Sequence, residues 1–154
     1  MCRIQIIDDD HWCGEAIVAH IINVASGAIF DIKPIPVPDD GYDIYIVDNE
    51  FEDGDHGVRM VKRIRERNPD ATIILCTATK DRINPETAMN VGCNAMIAKA
   101  SVQGREEMIE IVERHIQTRA RASSGPSFRA ALNDIKIILS AWNARMRQEE
   151  ILSH

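Results

Sequence analysis

Short, nearly continuous apolar runs alternate along the chain with longer segments whose apolar residues recur every three or four positions. Ile4 to Ile7, Ile29 to Val37, Tyr42 to Val47, Thr72 to Cys76 and Ala95 to Ala98 are runs of strand length. Between and after them lie Trp12 to Val24, Val58 to Arg67, Glu86 to Val91 and Arg105 to Ile116. In these segments Trp12, Ala16, Ile17, His20, Ile21 and Val24, then Met60, Val61 and Ile64, then Met108, Ile109, Val112 and Ile116 fall at helical spacing and are expected to form the core stripes. Strands that are apolar throughout need cover on both faces, so the alternation predicts an α/β fold, a doubly wound five-stranded parallel sheet. Pro36, Pro38, Asp39, Asp40 and Gly41 leave no helical pattern between the second and third strands, so the helix expected there is missing or reduced.

Beyond the alternating region the pattern changes. Residues 1–118 are expected to form one domain, and residues 119–127, with Ser123, Ser124, Gly125 and Pro126, a polar linker. Residues 128–154 then predict an extra C-terminal amphipathic helix. Its apolar positions Phe128, Leu132, Ile135, Leu139, Trp142 and Met146 are spaced 4, 3, 4, 3, 4, as in a coiled-coil seam. A homodimer through this helix ranks slightly ahead of two other uses of the same stripe, folding back onto the domain or receiving a partner helix.

Charge divides the chain in the same place. Of the 18 Lys/Arg and 24 Asp/Glu, residues 1–118 hold 12 and 21, and residues 119–154 hold 6 and 3. An acidic body does not attract a phosphate backbone, which argues against nucleic acid as a partner. Cys2, Cys13, Cys76 and Cys93 show no metal-ligand spacing, and Cys76 and Cys93 sit in apolar contexts typical of buried free thiols in a reducing compartment. Three acids, Asp8, Asp9 and Asp10, interrupt the N-terminal segment before any signal-like apolar run, and no stretch reaches the length of a membrane span. A cytoplasmic protein without a membrane partner is the expectation.

Open parallel sheets place their chemistry just past the carboxyl ends of their strands. Here the first strand ends in Asp8 and Asp9, the third in Asp48, the fourth in Thr77 and the fifth in Lys99. Acids from neighbouring strand ends would repel one another unless a hard cation sat among them, and a site with few carboxylates suits Mg2+. Taken singly, each residue has an ordinary explanation: an acid cluster capping a helix, a turn aspartate, a strand-end threonine, a solvated lysine. Their joint placement is what argues for a site. His11, His20 and His56 have no such company and read as capping or packing residues.

Ile6-Ile7-Asp8-Asp9-Asp10, Tyr45-Ile46-Val47-Asp48, Leu75-Cys76-Thr77-Ala78 and Ala95-Met96-Ile97-Ala98-Lys99 resemble, in order and spacing, the signature of a two-component response-regulator receiver domain, over about three quarters of the chain. The resemblance implies the flavodoxin-like strand order 2-1-3-4-5. It implies that Asp48 accepts a phosphoryl group from a histidine kinase or phosphotransfer protein, and that output is a contact with a downstream protein. It gives Asp8, Asp9, Asp48 and the backbone carbonyl of Glu50 to Mg2+, and gives Lys99 and Thr77 to the phosphoryl oxygens. Glu50 and Thr79, each two residues past a site residue, would set the lifetime of the acyl phosphate.

The chain departs from the family pattern at three places. Met96 stands where an aromatic residue usually reports the switch, Asn49-Glu50-Phe51-Glu52-Asp53-Gly54 lacks the usual Met-Pro and is longer before Gly57, and Ala100-Ser101 follows Lys99 where a proline is common. These departures keep a second reading open, a pseudo-receiver that signals without phosphate. A third, a Mg2+-dependent phosphatase or phosphotransferase using Asp48-x-Glu50, needs a cap or substrate pocket for which the chain has little spare length. On the leading reading the protein is a signalling receiver, whose own chemistry is limited to its phosphorylation and dephosphorylation.

Overall fold

The computed structural model describes residues 1–52, 54–78 and 85–123. Residue contacts divide the chain into two units, Met1–Ile116 and Gln117–His154. The first unit contains the sheet. Its strands are β1 (Arg3–Ile7), β2 (Ile29–Lys33), β3 (Ile44–Asp48), β6 (Thr72–Thr77) and β7 (Ala95–Ala98). They pair in the order β2-β1-β3-β6-β7, every pair parallel, which is the expected 2-1-3-4-5. Two short strands, β4 (Glu50–Phe51) and β5 (Gly54–Asp55), form a separate antiparallel hairpin directly after β3. The extra length before Gly57 goes into this hairpin, which the apolar pattern gave no means of foreseeing.

The helices are α1 (His11–Ile21), α2 (Gly57–Arg67), α3 (Pro85–Asn90) and α4 (Val102–Ser123). They cover two distinct cores. One side gathers Ile4, Ile6, Ile44, Ile46, Ile74 and Ile97 with Ile17 and Ile21 of α1 and Met108, Ile111 and Val112 of α4. The other gathers Ile7, Tyr45, Val47, Ile73 and Leu75 with Met60, Val61 and Ile64 of α2. Alternate residues of β1, β3 and β6 thus face opposite layers, and each strand is buried on both sides, as its unbroken apolar sequence requires.

The stripe expected on α1 needs correction. Trp12 is 78% exposed, and Ala16 and His20 are exposed as well, whereas Gly14, Ile17 and Ile21 are buried. Gly14 sets this rotation: a Cβ there would meet Ile32 Cγ2 at 2.7 Å, so the helix lies against β2 at its glycine and turns Trp12 outward. The α4 stripe holds at Met108 and Val112 and also takes in Ile111.

Between β2 and β3 the chain forms no helix. Instead the fully buried Gln5 of β1 pins the loop: its amide donates to Asp31 (3.0 Å) and Asp39 (2.9 Å), and its carbonyl accepts from the Asp39 amide (2.9 Å). Tyr45 donates its hydroxyl to the Asp39 carbonyl at 2.7 Å, and Lys33 bonds the Asp39 carboxylate at 2.6 Å. A buried side-chain amide would be costly unpaired, so this loop does by hydrogen bonding what a helix would do by apolar cover. Gly41, at φ +85, then turns the chain into β3.

α4 continues to Ser123, so residues 119–123 of the segment read as a linker are helical. The remainder of that segment and the seam helix over 128–154 lie outside the described residues. Among the described residues no helix is long and apolar enough to cross a membrane.

One packing contact ties the fold to the site. Gly57 starts α2 against Asn49, the neighbour of Asp48, and a Cβ there would meet Leu75 Cδ1 at 2.6 Å, Asn49 Oδ1 at 2.7 Å and Asn49 Cα at 2.8 Å. Gly57→Ala is therefore expected to destabilise the protein by about 1–3 kcal/mol, read in chemical denaturation. An unchanged midpoint would show that Asn49 yields freely.

Candidate functional site

Three strand ends converge at the carboxyl edge of the sheet. Asp8 follows β1 directly, Asp48 closes β3 and Lys99 follows β7. Asp8 and Asp48 are 1% and 3% exposed, an environment that carboxylates enter only with partners. The partner is Lys99, whose Nζ lies 2.8 Å from Asp8 Oδ2 and 2.7 Å from Asp48 Oδ2. One ammonium thus bridges two buried acids.

The flanking residues divide between capping and chemistry. Asp10 is the N-cap of α1, accepting from the Trp12 amide (2.9 Å) and the Cys13 amide (3.3 Å), and its pKa is held below the usual carboxylate range by the bonds from Cys13. The capping explanation of the acid triplet therefore holds for Asp10 alone. Asp8 accepts the Asp10 amide through Oδ1 (3.0 Å), and Asp9 accepts the Glu52 amide through Oδ2 (2.8 Å), which ties the β4–β5 hairpin to the acid cluster.

Asp8, Asp9 and Asp48 each offer a carboxylate oxygen within 4.8 Å of the others. Hard oxygen donors at this mutual distance suit a magnesium or calcium ion, and the ammonium of Lys99 neutralises the same pair of acids from one side. Burial pushes the Asp48 carboxyl up to about 6 despite its bond to Lys99. Burial also opposes the charge on Lys99, but the bonds to Asp48 and Asp8 outweigh it and hold the ammonium's pKa above its ordinary value. The acid is thus ionised at neutral pH but not comfortably so, and gains from a cation.

Thr77 ends β6 with no exposed surface and donates its hydroxyl to Glu50 Oε1 at 2.5 Å. The backbone amide of Ala78 donates to the other oxygen, Oε2, at 2.8 Å. Glu50 in turn donates its own amide to Asp48 Oδ1 at 3.2 Å. Five expected residues, Asp8, Asp9, Asp48, Thr77 and Lys99, are thereby linked to one another, directly or through Glu50 and the hairpin. Met96 is half-buried in β7 beside Leu75, and Thr79 lies outside the described residues. Cys76 and Cys93 are buried free thiols, each with its pKa raised by burial.

One feature escaped the sequence reading. A cleft of about 170 Å³ opens beside Lys99, lined by Cys13, Ala16, Ile17 and His20 of α1 with Arg105 and Met108 of α4. Its walls come from helices some ninety residues apart, and none of its residues forms a motif.

The sequence matches the profile of the response regulator receiver domain over residues 4–113. The chain belongs to that family. Among solved structures it is similar to the BeF3-activated DrrB receiver domain, with TM-score 0.64 and 16% identity, over 76% of this chain and 98% of that one. It is also similar to a CheY-like receiver protein from Methanospirillum hungatei JF-1, with TM-score 0.63 and 17% identity, over 79% and 98%. A third is the response regulator TrrA of Thermotoga maritima in complex with Mg2+-BeF, with TM-score 0.61 and 21% identity, over 75% and 99%. At these identities the likeness speaks for the fold. No curated protein matches the chain. Within the receiver, the acid cluster, the lysine and the hydroxyl lie at the carboxyl ends of β1, β3, β7 and β6.

Proposed function

We propose that this receiver takes a phosphoryl group onto Asp48 from a histidine kinase or phosphotransfer protein and signals through contact with a downstream protein. The observation that carries the reading is the juxtaposition of Asp8, Asp9 and Asp48 within metal-sharing distance, with Lys99 bonded to two of them. Asp8, Asp9 and Asp48, with the Glu50 carbonyl, would hold Mg2+. Bound there, the ion supplies charge neutralisation to the transferred group.

The chain's own residues account for the remainder. An oxygen of the ionised Asp48 carboxylate attacks phosphorus, a P–O bond forms as the donor's P–N bond breaks, and the departing imidazole takes up a proton. Lys99 stays within reach of the phosphoryl oxygens, because it already bonds Asp48 Oδ2. Thr77 and the Ala78 amide are hydrogen-bond donors on the adjoining strand end for the same oxygens. The added group carries roughly two negative charges, enough to bias a bistable surface by a few kcal/mol.

Intact-mass spectrometry after incubation with acetyl phosphate and Mg2+ tests this. A single phosphoryl adduct is expected in the wild type and none in Asp48→Asn or with a chelator. A wild type that binds Mg2+ yet acquires no adduct would overturn the phosphoryl reading in favour of a pseudo-receiver.

A further inference from the structure

The Glu50 carboxylate makes two hydrogen bonds of the kind a phosphoryl group on Asp48 would need. Its two oxygens take the Thr77 hydroxyl (2.5 Å) and the Ala78 amide (2.8 Å), one donor each. Carboxylate and phosphoryl oxygens are both strong anionic acceptors, and these two donors sit side by side at the end of β6. The Glu50 amide, bonded to Asp48 Oδ1, fixes the start of the side chain beside the acceptor carboxylate. Residue 50 also opens the β4–β5 hairpin, and two residues on the Glu52 amide is bonded to Asp9. The backbone that carries Glu50 is therefore held at both ends of this segment, and the carboxylate is aimed at Thr77 by structure.

We infer that Glu50 is an internal occupant of the phosphoryl subsite, a carboxylate that holds Thr77 and Ala78 before phosphorylation and must be displaced when Asp48 is phosphorylated. This rests on the receiver reading and adds a regulatory element to that site. The phosphoryl oxygens compete with Glu50 for the same two donors, and their charge repels it. Glu50 thereby lowers the affinity of the site for a phosphoryl group and keeps the threonine drawn to an anion when no phosphate is there. Its role is positioning: it acts through Thr77 and Ala78.

The test is a titration of the full chain with beryllofluoride at saturating Mg2+, comparing wild type with Glu50→Ala, Glu50→Gln and Glu50→Asp. Removing the competitor in Glu50→Ala is expected to tighten beryllofluoride binding about tenfold, the equivalent of losing one charge-assisted bond. The decisive variant is Glu50→Asp, which keeps the charge but is one methylene shorter and loses the two contacts. Several-fold tighter binding is expected there too. If Glu50→Asp binds like wild type while Glu50→Gln and Glu50→Ala bind more tightly, the effect is local charge alone and the occupancy is wrong. Unchanged or weaker binding in all three overturns it as well.

Wild type that binds beryllofluoride with unresponsive variants sinks only this inference. Failure of every form to bind, with Mg2+ shown to bind, sinks the receiver reading and this inference together. Should a variant not fold, the wild type still decides. The 13C resonance of the Glu50 carboxyl and the 15N resonance of Ala78 are expected to shift together on saturation with beryllofluoride, and a stationary Glu50 carboxyl signal would overturn the displacement.

Discussion

Replacing Lys99 with methionine is expected to cost about 3 kcal/mol of folding stability near neutral pH when divalent cations are chelated. Asp8 and Asp48 are almost without exposure, and Lys99 bonds both, so the substitution leaves two neighbouring buried carboxylates facing each other. The figure is set toward the lower end of what broken buried pairs cost because the lysine side chain keeps 22% of its exposure. The sign with pH follows from linkage. Lys99 has a raised pKa in the folded protein, so its contribution is fully present below the unfolded lysine value and would be lost only at strongly alkaline pH. At the acid end the deficit narrows for a different reason: burial holds the Asp48 carboxyl up at about 6, so it takes up a proton as the pH falls through that value, and part of the charge that Lys99 neutralises disappears. Urea denaturation of wild type and variant between about pH 4 and pH 8 measures the acid limb. Millimolar Mg2+ is expected to return part of the loss at pH 8, because a cation that binds only the folded state stabilises it by mass action. A pH-independent deficit that Mg2+ does not touch would mean that Lys99 acts through its aliphatic stem and that the cluster is not a cation site.

The legibility of this protein in its sequence follows from the kind of information each feature needs. Ile4 to Ile7, Tyr42 to Val47 and Thr72 to Cys76 announce buried parallel strands because a strand covered on both faces has no polar alternation to blur it. Asp8, Asp48, Thr77 and Lys99 could be read as a group because parallel strands all deliver their ends to the same edge. The absent helix before β3 was visible in Pro36, Pro38 and Gly41, but its replacement was not. The Gln5–Asp39 bonds join residues 34 apart, and no local rule places a buried glutamine amide opposite a loop aspartate. Trp12 was misplaced because periodicity gives the spacing of a stripe and not its phase, which close packing of Gly14 on Ile32 decides. The β4–β5 hairpin and the Glu50 contacts were hidden for a related reason: two-residue strands carry too little pattern to read. A glutamate two positions past Asp48 can face solvent, metal or Thr77 with equal sequence support.

Asp48→Asn is expected to stabilise the metal-free protein by about 3 kcal/mol at pH 7.5 while abolishing the phosphoryl adduct, with the gain fading to nothing near pH 4. The native carboxyl is pushed up to about 6 by burial, against an ordinary value of 3.8. Between those values the folded state binds more protons than the unfolded chain, so stability falls as pH rises through the window and the full cost is in place above it. Each unit of pKa difference corresponds to about 1.4 kcal/mol, which gives the stated figure. Asparagine fills the same space, carries no charge to desolvate, and leaves Lys99 its bond to Asp8. The substitution also halves the negative charge that Lys99 faces, so Lys99→Met should cost less in the Asp48→Asn background than in the wild type, a coupling that a double-mutant cycle under chelation measures. Additive costs, or a less stable Asp48→Asn across the whole pH range, would show that the buried acid is fully compensated by its hydrogen bonds. On the proposed reading, such a destabilising carboxylate is kept at the strand end for chemistry: burial withholds solvation that a bound cation would supply.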